Sequence, residues 1–500
     1  MRRLWLTAAC ASAALAAGCG TMPDRKAEAP PLPTGWEDAE IKADPQALTD
    51  WWKGFEDPTL DRMVAEGLAE GPSARLAALR LRAARALSSR TASDFLPQFT
   101  GQASGSYTRV VDGPDLTGSF QSFVTGGGSG ALTTEREQFI GSYGPQVVWE
   151  IPLWGRLEAS AIGSRANTRA AVEDLRGARA ALAADIAQAY VEYRAGQQRL
   201  AALEEGAALA EQLAGIVQIG ADAGFSSPAD AADARRLAEA TRSQTPDAVI
   251  AARRAAATLA TLRGRAPGTE PEDLRAVLQA PGAVPAYALA IAAPAAPADL
   301  LRLRPDVARA EAETVVAAAR LGIARQDLLP QLRLTGGLDV TDNIIGSAVP
   351  ERLAQVSAAP TISIPLFDWG RRFAASRERS AELDQSLVSY QSTVNTAVSE
   401  ASLALTSLRQ GEVRLKSARA AEAAAETTAR GVRASYGAGI ASLSDRIRAE
   451  QQLLDARVSR ISAEQAQASA AIQVYRAFGG GPPPLSVKEQ REAAQIRGRS

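Results

Sequence analysis

Few side chains in this sequence could carry covalent chemistry. There is no histidine, so the usual general base and the commonest metal ligand are both missing. The two cysteines, Cys10 and Cys19, sit in different surroundings. Cys10 lies inside an apolar run from Leu4 to Ala17 that follows Arg2-Arg3. A short charged start, a brief apolar stretch and a close in small residues form the pattern of a cleaved signal segment, too short to cross a bilayer. Cys19 directly follows Leu15-Ala16-Ala17-Gly18, so cleavage before it leaves a terminal thiol that can accept an acyl chain. With Cys10 removed, neither a disulfide nor a Cys/His metal cluster can form. Carboxylates are frequent, but they are scattered through helical stretches at spacings suited to surface ion pairs. No catalytic residue, metal site or cofactor is expected, and the chain reads as a non-enzyme.

Residues 15–19 resemble a bacterial lipobox, with Ala16 at the place where leucine is favoured and Leu15 one position earlier. Gly20 follows, not the aspartate that retains lipoproteins at the inner membrane. The alternative is ordinary signal cleavage, with Cys19 lost or unmodified. Losing Arg2 and Arg3 moves the net charge from −1 to −3, which offers no field for nucleic acid.

The other positions with functional character are two turns. Asp222-Ala223-Gly224-Phe225-Ser226-Ser227-Pro228 and Tyr436-Gly437-Ala438-Gly439-Ile440-Ala441-Ser442 each join a long helical stretch to a returning one. Glycine supplies the positive φ of a helix end, and Ser227 and Ser442 can cap the helix that follows. Turn chemistry alone explains both segments. The second is followed by Asp445, Arg446, Arg448 and Glu450.

These turns are positioned by elements that occur twice. Asp94-Phe95-Leu96-Pro97-Gln98 returns as Asp327-Leu328-Leu329-Pro330-Gln331. Ile151-Pro152-Leu153-Trp154-Gly155-Arg156 returns as Ile364-Pro365-Leu366-Phe367-Asp368-Trp369-Gly370-Arg371. Such a long period implies two copies of one large element, each reading helix, strand pair, long helix, turn, helix. No proline falls between Pro152 and Pro228 or between Pro365 and Pro482. Within these stretches Leu182, Ile186, Tyr190, Tyr193 and Leu200, and Leu383, Leu387, Tyr390, Val394 and Val398, mark a narrow seam at helical spacing. A helix from Leu157 to Ile219 spans about 95 Å and needs neighbours along its length. A soluble antiparallel coiled coil would satisfy that periodicity too.

Between the helices the period changes to two. Phe99, Ala103 and Tyr107 alternate with Thr100, Ser104 and Thr108, and Tyr143, Val147, Trp149 and Ile151 alternate with polar neighbours. Leu332, Leu334, Leu338 and Val340 alternate with Arg333, Thr335, Gly337 and Asp339, and Ile362 and Ile364 with Thr361 and Ser363. Four such segments fit membrane β-strands with lipid on one side and water on the other. A soluble hairpin packed by one face is the alternative for any one of them. Four strands cannot close a barrel, and lipid tolerates no open edge, so the strands require other chains. Asp112 to Thr134, with Gly126-Gly127-Gly128, reads as a long surface loop.

Two further stretches carry a family likeness: Trp51-Trp52-Lys53-Gly54-Phe55-Glu56-Asp57-Pro58-Thr59-Leu60 and Leu301-Arg302-Leu303-Arg304-Pro305-Asp306-Val307-Ala308-Arg309-Ala310-Glu311. With the duplicated layout, they resemble the TolC-like outer-membrane efflux proteins, in particular the OprM/NodT lipoprotein branch. The resemblance covers about residues 36–481. It implies an α+β membrane protein: a homotrimer whose 12-stranded β-barrel, four strands per chain, continues into a long periplasmic α-helical barrel. It implies residence in the outer membrane, lipid-anchored and extending into the periplasm. It also implies the role of exit duct for a tripartite pump, with a periplasmic adaptor (a membrane fusion protein) and an inner-membrane transporter of the resistance–nodulation–division type. The resulting division is 1–18 signal segment, 19–50 tether, 51–264 first repeat, 265–300 equatorial linker, 301–481 second repeat and 482–500 tail. In the family the tips meet the adaptor, which assigns Gly224, Phe225, Ser227, Gly437, Gly439 and Ser442 to that contact. Asp445 and Arg448 stand where members narrow the pore, and a solvated helix face is the equal alternative for Arg448. Type I protein secretion, polysaccharide export and a pore-less periplasmic coiled-coil lipoprotein are the competing roles.

Overall fold

The structure, a computed structural model, describes residues 27–36, 48–109, 137–269, 282–287, 303–345 and 352–481, with 275, 280 and 298 between them. The signal segment, Cys19, the Gly126-Gly127-Gly128 loop and the 482–500 tail lie outside the described residues, as does most of the 265–300 linker.

The duplicated plan is present. A 3-10 turn at Trp51–Phe55 precedes α1 (Pro58–Glu70) and α2 (Pro72–Ser93). Then come β1 (Gln98–Arg109), β2 (Glu137–Ile151), α3 (Arg156–Asp222), α4 (Pro228–Arg242) and α5 (Thr245–Leu262). The second copy runs α6 (Pro305–Gln326), β3 (Gln331–Ile345), β4 (Arg352–Ser363), α7 (Arg371–Gly437) and α8 (Leu443–Ala477). Both α3 and α7 have 67 residues, about 100 Å each at 1.5 Å per residue. The copies differ in one respect: the return is continuous in α8 but divides at Ser243-Gln244 between α4 and α5. Pro246, in the first turn of α5, has no N–H with which to continue a helical ladder.

One compact unit comprises Ala84–Thr168 and Glu313–Ser386. Its centre is an antiparallel sheet in the order β1-β2-β3-β4. The register sorts the side chains, because residues paired across strands share a face. Phe99, Val147, Gly336 and Ala358 form one cross-strand row, and Ala103, Tyr143, Val340 and Ala354 another. Trp149, Leu334 and Pro360 continue the same face. The opposite face carries Thr100, Gln146, Gly337 and Ser357 in one row and Ser104, Ser142, Thr341 and Leu353 in another. The hydroxyls of Ser104 and Ser142 meet at 2.8 Å.

The second unit comprises Ala27–Ala83, Arg169–Ala312 and Leu387 onward. Here α8 packs between α7 and α3, linked to α3 by Arg457–Glu205 at 3.2 Å and to α7 by Arg460–Glu422 at 2.6 Å. Close approach is allowed where side chains are smallest: a Cβ on Gly196 would lie 3.3 Å from the Cα of Ala252. The main core gathers Trp51, Trp52, Phe55, Leu60 and Met63 against Leu182, Ile186, Tyr190, Ile472, Tyr475 and Phe478. Trp51 stacks on Tyr475 with ring centroids 5.2 Å apart, and the hydroxyls of Tyr287 and Tyr475 meet at 2.6 Å.

The two family-like stretches are structural in this unit. Asp57 caps α1, accepting from the amides of Thr59 at 2.8 Å and Leu60 at 3.3 Å. Arg304 is buried and grips Asp306 with both arms of its guanidinium, at 3.0 and 2.7 Å. It also donates to Glu400 at 2.8 Å and to the Ala477 carbonyl at 2.9 Å. That places the Leu-Arg-Pro-Asp turn between α7 and the end of α8.

Candidate membrane sheet and hairpin tips

Among the described residues, nothing covers the sheet's apolar face. Val356 is 80 % exposed, and Phe99, Tyr107, Ile362 and Ile364 are exposed as well. Aromatic side chains concentrate at its two ends: Tyr107 pairs with Phe139 at the loop end, while Phe99 and Trp149 lie near the helical end. Apolar middle and aromatic rims are what a membrane strand presents to lipid. Glu150 lies within 3.8 Å of Arg156 and 4.0 Å of Arg333, so its charge is partnered. Among the described residues, β1 and β4 each pair on one side only.

The tips are built alike. At the first, Phe225 N–H donates to the Gly220 carbonyl at 2.7 Å and Gly224 takes φ 77°. At the second, Ile440 N–H donates to the Ser435 carbonyl at 2.9 Å and Gly439 takes φ 75°. Both glycines sit in open space, so backbone conformation rather than crowding requires them. Ser227 and Ser442 each form a capping box, with Asp230 and Asp445 respectively. Gly437 is the last residue of α7. The structure brings the tips together, since Leu443 and Ile447 of the second pack against Ala214, Val217, Ala231 and Ala234 of the first. Two large apolar side chains remain in solvent there, Phe225 at 89 % and Ile440 at 82 % exposure. Ile440 was not singled out in the sequence, although its place in the turn matches that of Phe225.

The charges after the second tip are locally partnered. Hydrogen bonds from the Ser442 hydroxyl and amide, aided by Arg448, hold the Asp445 carboxyl below the usual carboxylate range. Arg448 lies 3.3 Å from Asp445 with its side chain largely exposed. Glu450 is bound by Arg433, and Arg446 lies over the Tyr436 ring at 5.1 Å. Of this group Arg448 keeps the most freedom to face a solvent-filled space.

A four-stranded amphipathic sheet and two 67-residue helices, each followed by a returning helix, define an outer-membrane channel protein of the TolC-like class. The comparison with family models agrees. The chain belongs to the Outer membrane efflux protein family, whose model matches residues 64–265 and 296–480. It is 28 % identical over 491 residues to Nodulation protein T of Rhizobium leguminosarum bv. viciae, covering 96 % of this chain and 95 % of that one. It is 25 % identical over 473 residues to the antibiotic efflux pump outer membrane protein ArpC of Pseudomonas putida, covering 93 % of each. Among solved structures, the outer-membrane channel OprN superposes with a TM-score of 0.77 at 28 % identity, over 93 % of this chain and 99 % of that one. The protein is an outer-membrane exit duct for efflux.

Proposed function

We propose that three copies close a twelve-stranded barrel in the outer membrane and conduct small molecules passively to the cell exterior. A periplasmic adaptor and an inner-membrane transporter of the resistance–nodulation–division type deliver the cargo. The observation that carries this reading is the sheet: apolar on one face, polar on the other and open at two edges. Hydrocarbon tolerates no unpaired edge, so such a sheet is stable in a bilayer only when further strands complete it. The polar face, rich in Ser, Thr and Gln with Glu150, Arg333 and Asp339 among them, then lines water, and no group on it marks out one substrate. Passage is therefore governed by delivery and by width.

Four finer assignments belong to this reading. Cys19 carries the lipid anchor, and residues 19–50 tether it to the body. Residues 51–264 and 301–481 are the two efflux repeats, joined by 265–300. Gly224, Phe225, Ser227, Gly437, Gly439 and Ser442 form the adaptor contact, supported by the exposure of Phe225 and Ile440 beside them. Arg448, oriented by Asp445, narrows the duct. The test is mass and conductance together. In mild detergent the protein should weigh three chains, and in planar bilayers it should conduct. A well-folded monomer without conductance would refute the reading.

A further inference from the structure

The apolar face of the sheet is charged at one end only. At the helical end it presents Phe99, Trp149, Leu332 and Ile362, with no ionised group among them. At the loop end the same face carries Arg109 and Glu137, paired across β1 and β2, and Asp342 and Arg352, paired across β3 and β4. Arginine facing lipid costs about 2–4 kcal/mol at the midplane and little at the interface, so the charged end stands at headgroup level. With the long helices in the periplasm, those headgroups belong to the outer leaflet. Neither arginine is used up by its neighbour. Arg352 Nε lies 3.8 Å from Asp342, beyond hydrogen-bond distance, and the arginine side chain is 68 % exposed. Its Nη2 donates to the Tyr143 hydroxyl at 3.0 Å, which orients the guanidinium. Arg109 lies 3.3 Å from Glu137 and is 63 % exposed. Arginine has five N–H donors, and one on Arg352 is committed among the described residues.

We infer that Arg352, with Tyr143 beside it, binds the phosphate of a phosphorylated lipid in the outer leaflet. The planar fork of arginine matches two phosphate oxygens. The Tyr143 hydroxyl accepts from Arg352 and keeps its own hydrogen to give to a further oxygen. Arg109 offers a second guanidinium at the same end of the face. The acyl chains of such a lipid lie along Ala354, Leu338 and Val356, which continue this face toward its middle. The carboxylates of Asp342 and Glu137 narrow the chemistry further. Beside them a bare phosphate is repelled, whereas a phosphate that carries a magnesium ion is not, because Mg²⁺ is held by one or two carboxylates together with phosphate oxygens. The ligand is therefore a lipid phosphate bridged by a divalent cation. The site lies on the face turned away from the duct, so it is independent of what the duct conducts and rests only on residence in the outer membrane.

Lipid binding to the full-length protein tests the site. Protein freed of lipid in mild detergent is titrated, in millimolar Mg²⁺, with lipid A, a bis-phosphorylated glycolipid, and bound lipid is counted by native mass spectrometry. Wild type should bind saturably. Arg352→Gln should weaken binding about ten-fold, the loss of charge-assisted hydrogen bonds, and Arg352→Lys should recover part of it. Tyr143→Phe should weaken binding about three-fold, the loss of one neutral donor. Chelating Mg²⁺ should release the lipid from wild type, but not from a chain carrying Asp342→Asn and Glu137→Gln, which no longer repels a bare phosphate. Lipid A stripped of its phosphates should not bind, and millimolar inorganic phosphate should not displace the intact lipid. Displacement by inorganic phosphate would make this a soluble-anion site, and wild-type affinity in Arg352→Gln would leave no site at all; either result overturns the inference. Multi-chain mass and conductance should be unchanged in every variant, so failure here leaves the exit duct standing. A wild-type chain of single-chain mass would overturn the proposed function itself.

Discussion

Tyr190, midway along α3, donates its hydroxyl hydrogen to the Asp57 carboxylate at 2.6 Å. Asp57 thereby caps α1 with one oxygen and fastens the 67-residue helix with the other. Arg194 Nε donates to the same tyrosine oxygen at 3.0 Å. Asp57→Ala removes the cap, worth about 1 kcal/mol, and leaves a buried hydroxyl without its acceptor, about 1 kcal/mol more. Asp57→Asn keeps an oxygen for the cap but sets an amide N–H, a donor, where the Tyr190 hydroxyl finds its acceptor, so it should restore the cap and not the bond to Tyr190. Denaturant unfolding of the solubilised protein reads the difference. Burial first, and the bond to Asp57 second, push the Tyr190 hydroxyl from 10.0 to about 12. A raised pKa stabilises through the protonated form. Its contribution is complete below pH about 10 and fades as pH rises through about 12. Ultraviolet titration should show one tyrosine ionising last, and Tyr190→Phe should abolish that late step.

Arg304 is the second tie. Its charge is buried, while Asp306 and Glu400 are about half exposed. Arg304→Ala should cost about 3 kcal/mol, the low end for a broken buried pair, because both carboxylates can rehydrate. Lysine lacks the planar fork that holds Asp306 at two points, so Arg304→Lys should recover only part of it. Thermal unfolding of the three proteins gives the ranking; equal stability of the alanine variant would remove Arg304 from this role.

Val356 and Ser357 are neighbours on opposite faces of β4. Arginine facing lipid near the midplane costs about 2–4 kcal/mol, and facing water little. Val356→Arg should therefore deplete assembled protein in the outer membrane, and Ser357→Arg should not. Ile362→Arg and Ser363→Arg, nearer the strand end, should show the same order with a smaller gap. Equal tolerance at 356 and 357 would contradict the facing.

A Cβ at Gly439 would meet no atom within 4 Å, so the main cost of Gly439→Val is backbone strain, about 1–2 kcal/mol. Helices of this length should absorb that. Membrane levels and oligomer should persist while crosslinking to the adaptor weakens and sensitivity to pump substrates rises. Wild-type export through the assembled variant would reduce the tip to a turn. Arg448→Ala should raise single-channel conductance if this side chain narrows the duct, and unchanged conductance would place it elsewhere.

Cys19→Ser should abolish acyl labelling of the N-terminus and alter signal processing, while the sheet still holds the protein in the membrane. Mass spectrometry of the wild-type N-terminus without fatty acid would sink the anchor.

The sequence carried the duplicated plan, the four strands and both tips, because each depends on local period or on glycine and serine at a turn. The facing of Phe99, Val147 and Ile362 followed from alternation once strands were assigned. What lay hidden was remote in sequence. Trp51 stacks on Tyr475, and Arg304 reaches Glu400 and Ala477, 96 and 173 positions away. No periodicity announces such contacts. The plan of one returning helix per copy passed over Pro246, whose place in the first turn of α5 marks the break from α4. The capping box also qualifies Asp445, whose carboxylate is engaged at home before it faces any duct.

The unlike edges of the sheet have a genetic consequence. A chain damaged only along β4 can still be joined at β1, but nothing can be added after it. Expressed beside the normal allele, such a chain would act as a terminator, leaving wild-type copies stranded in incomplete arcs. Damage at one edge should therefore be dominant, whereas damage that unfolds the chain should be recessive.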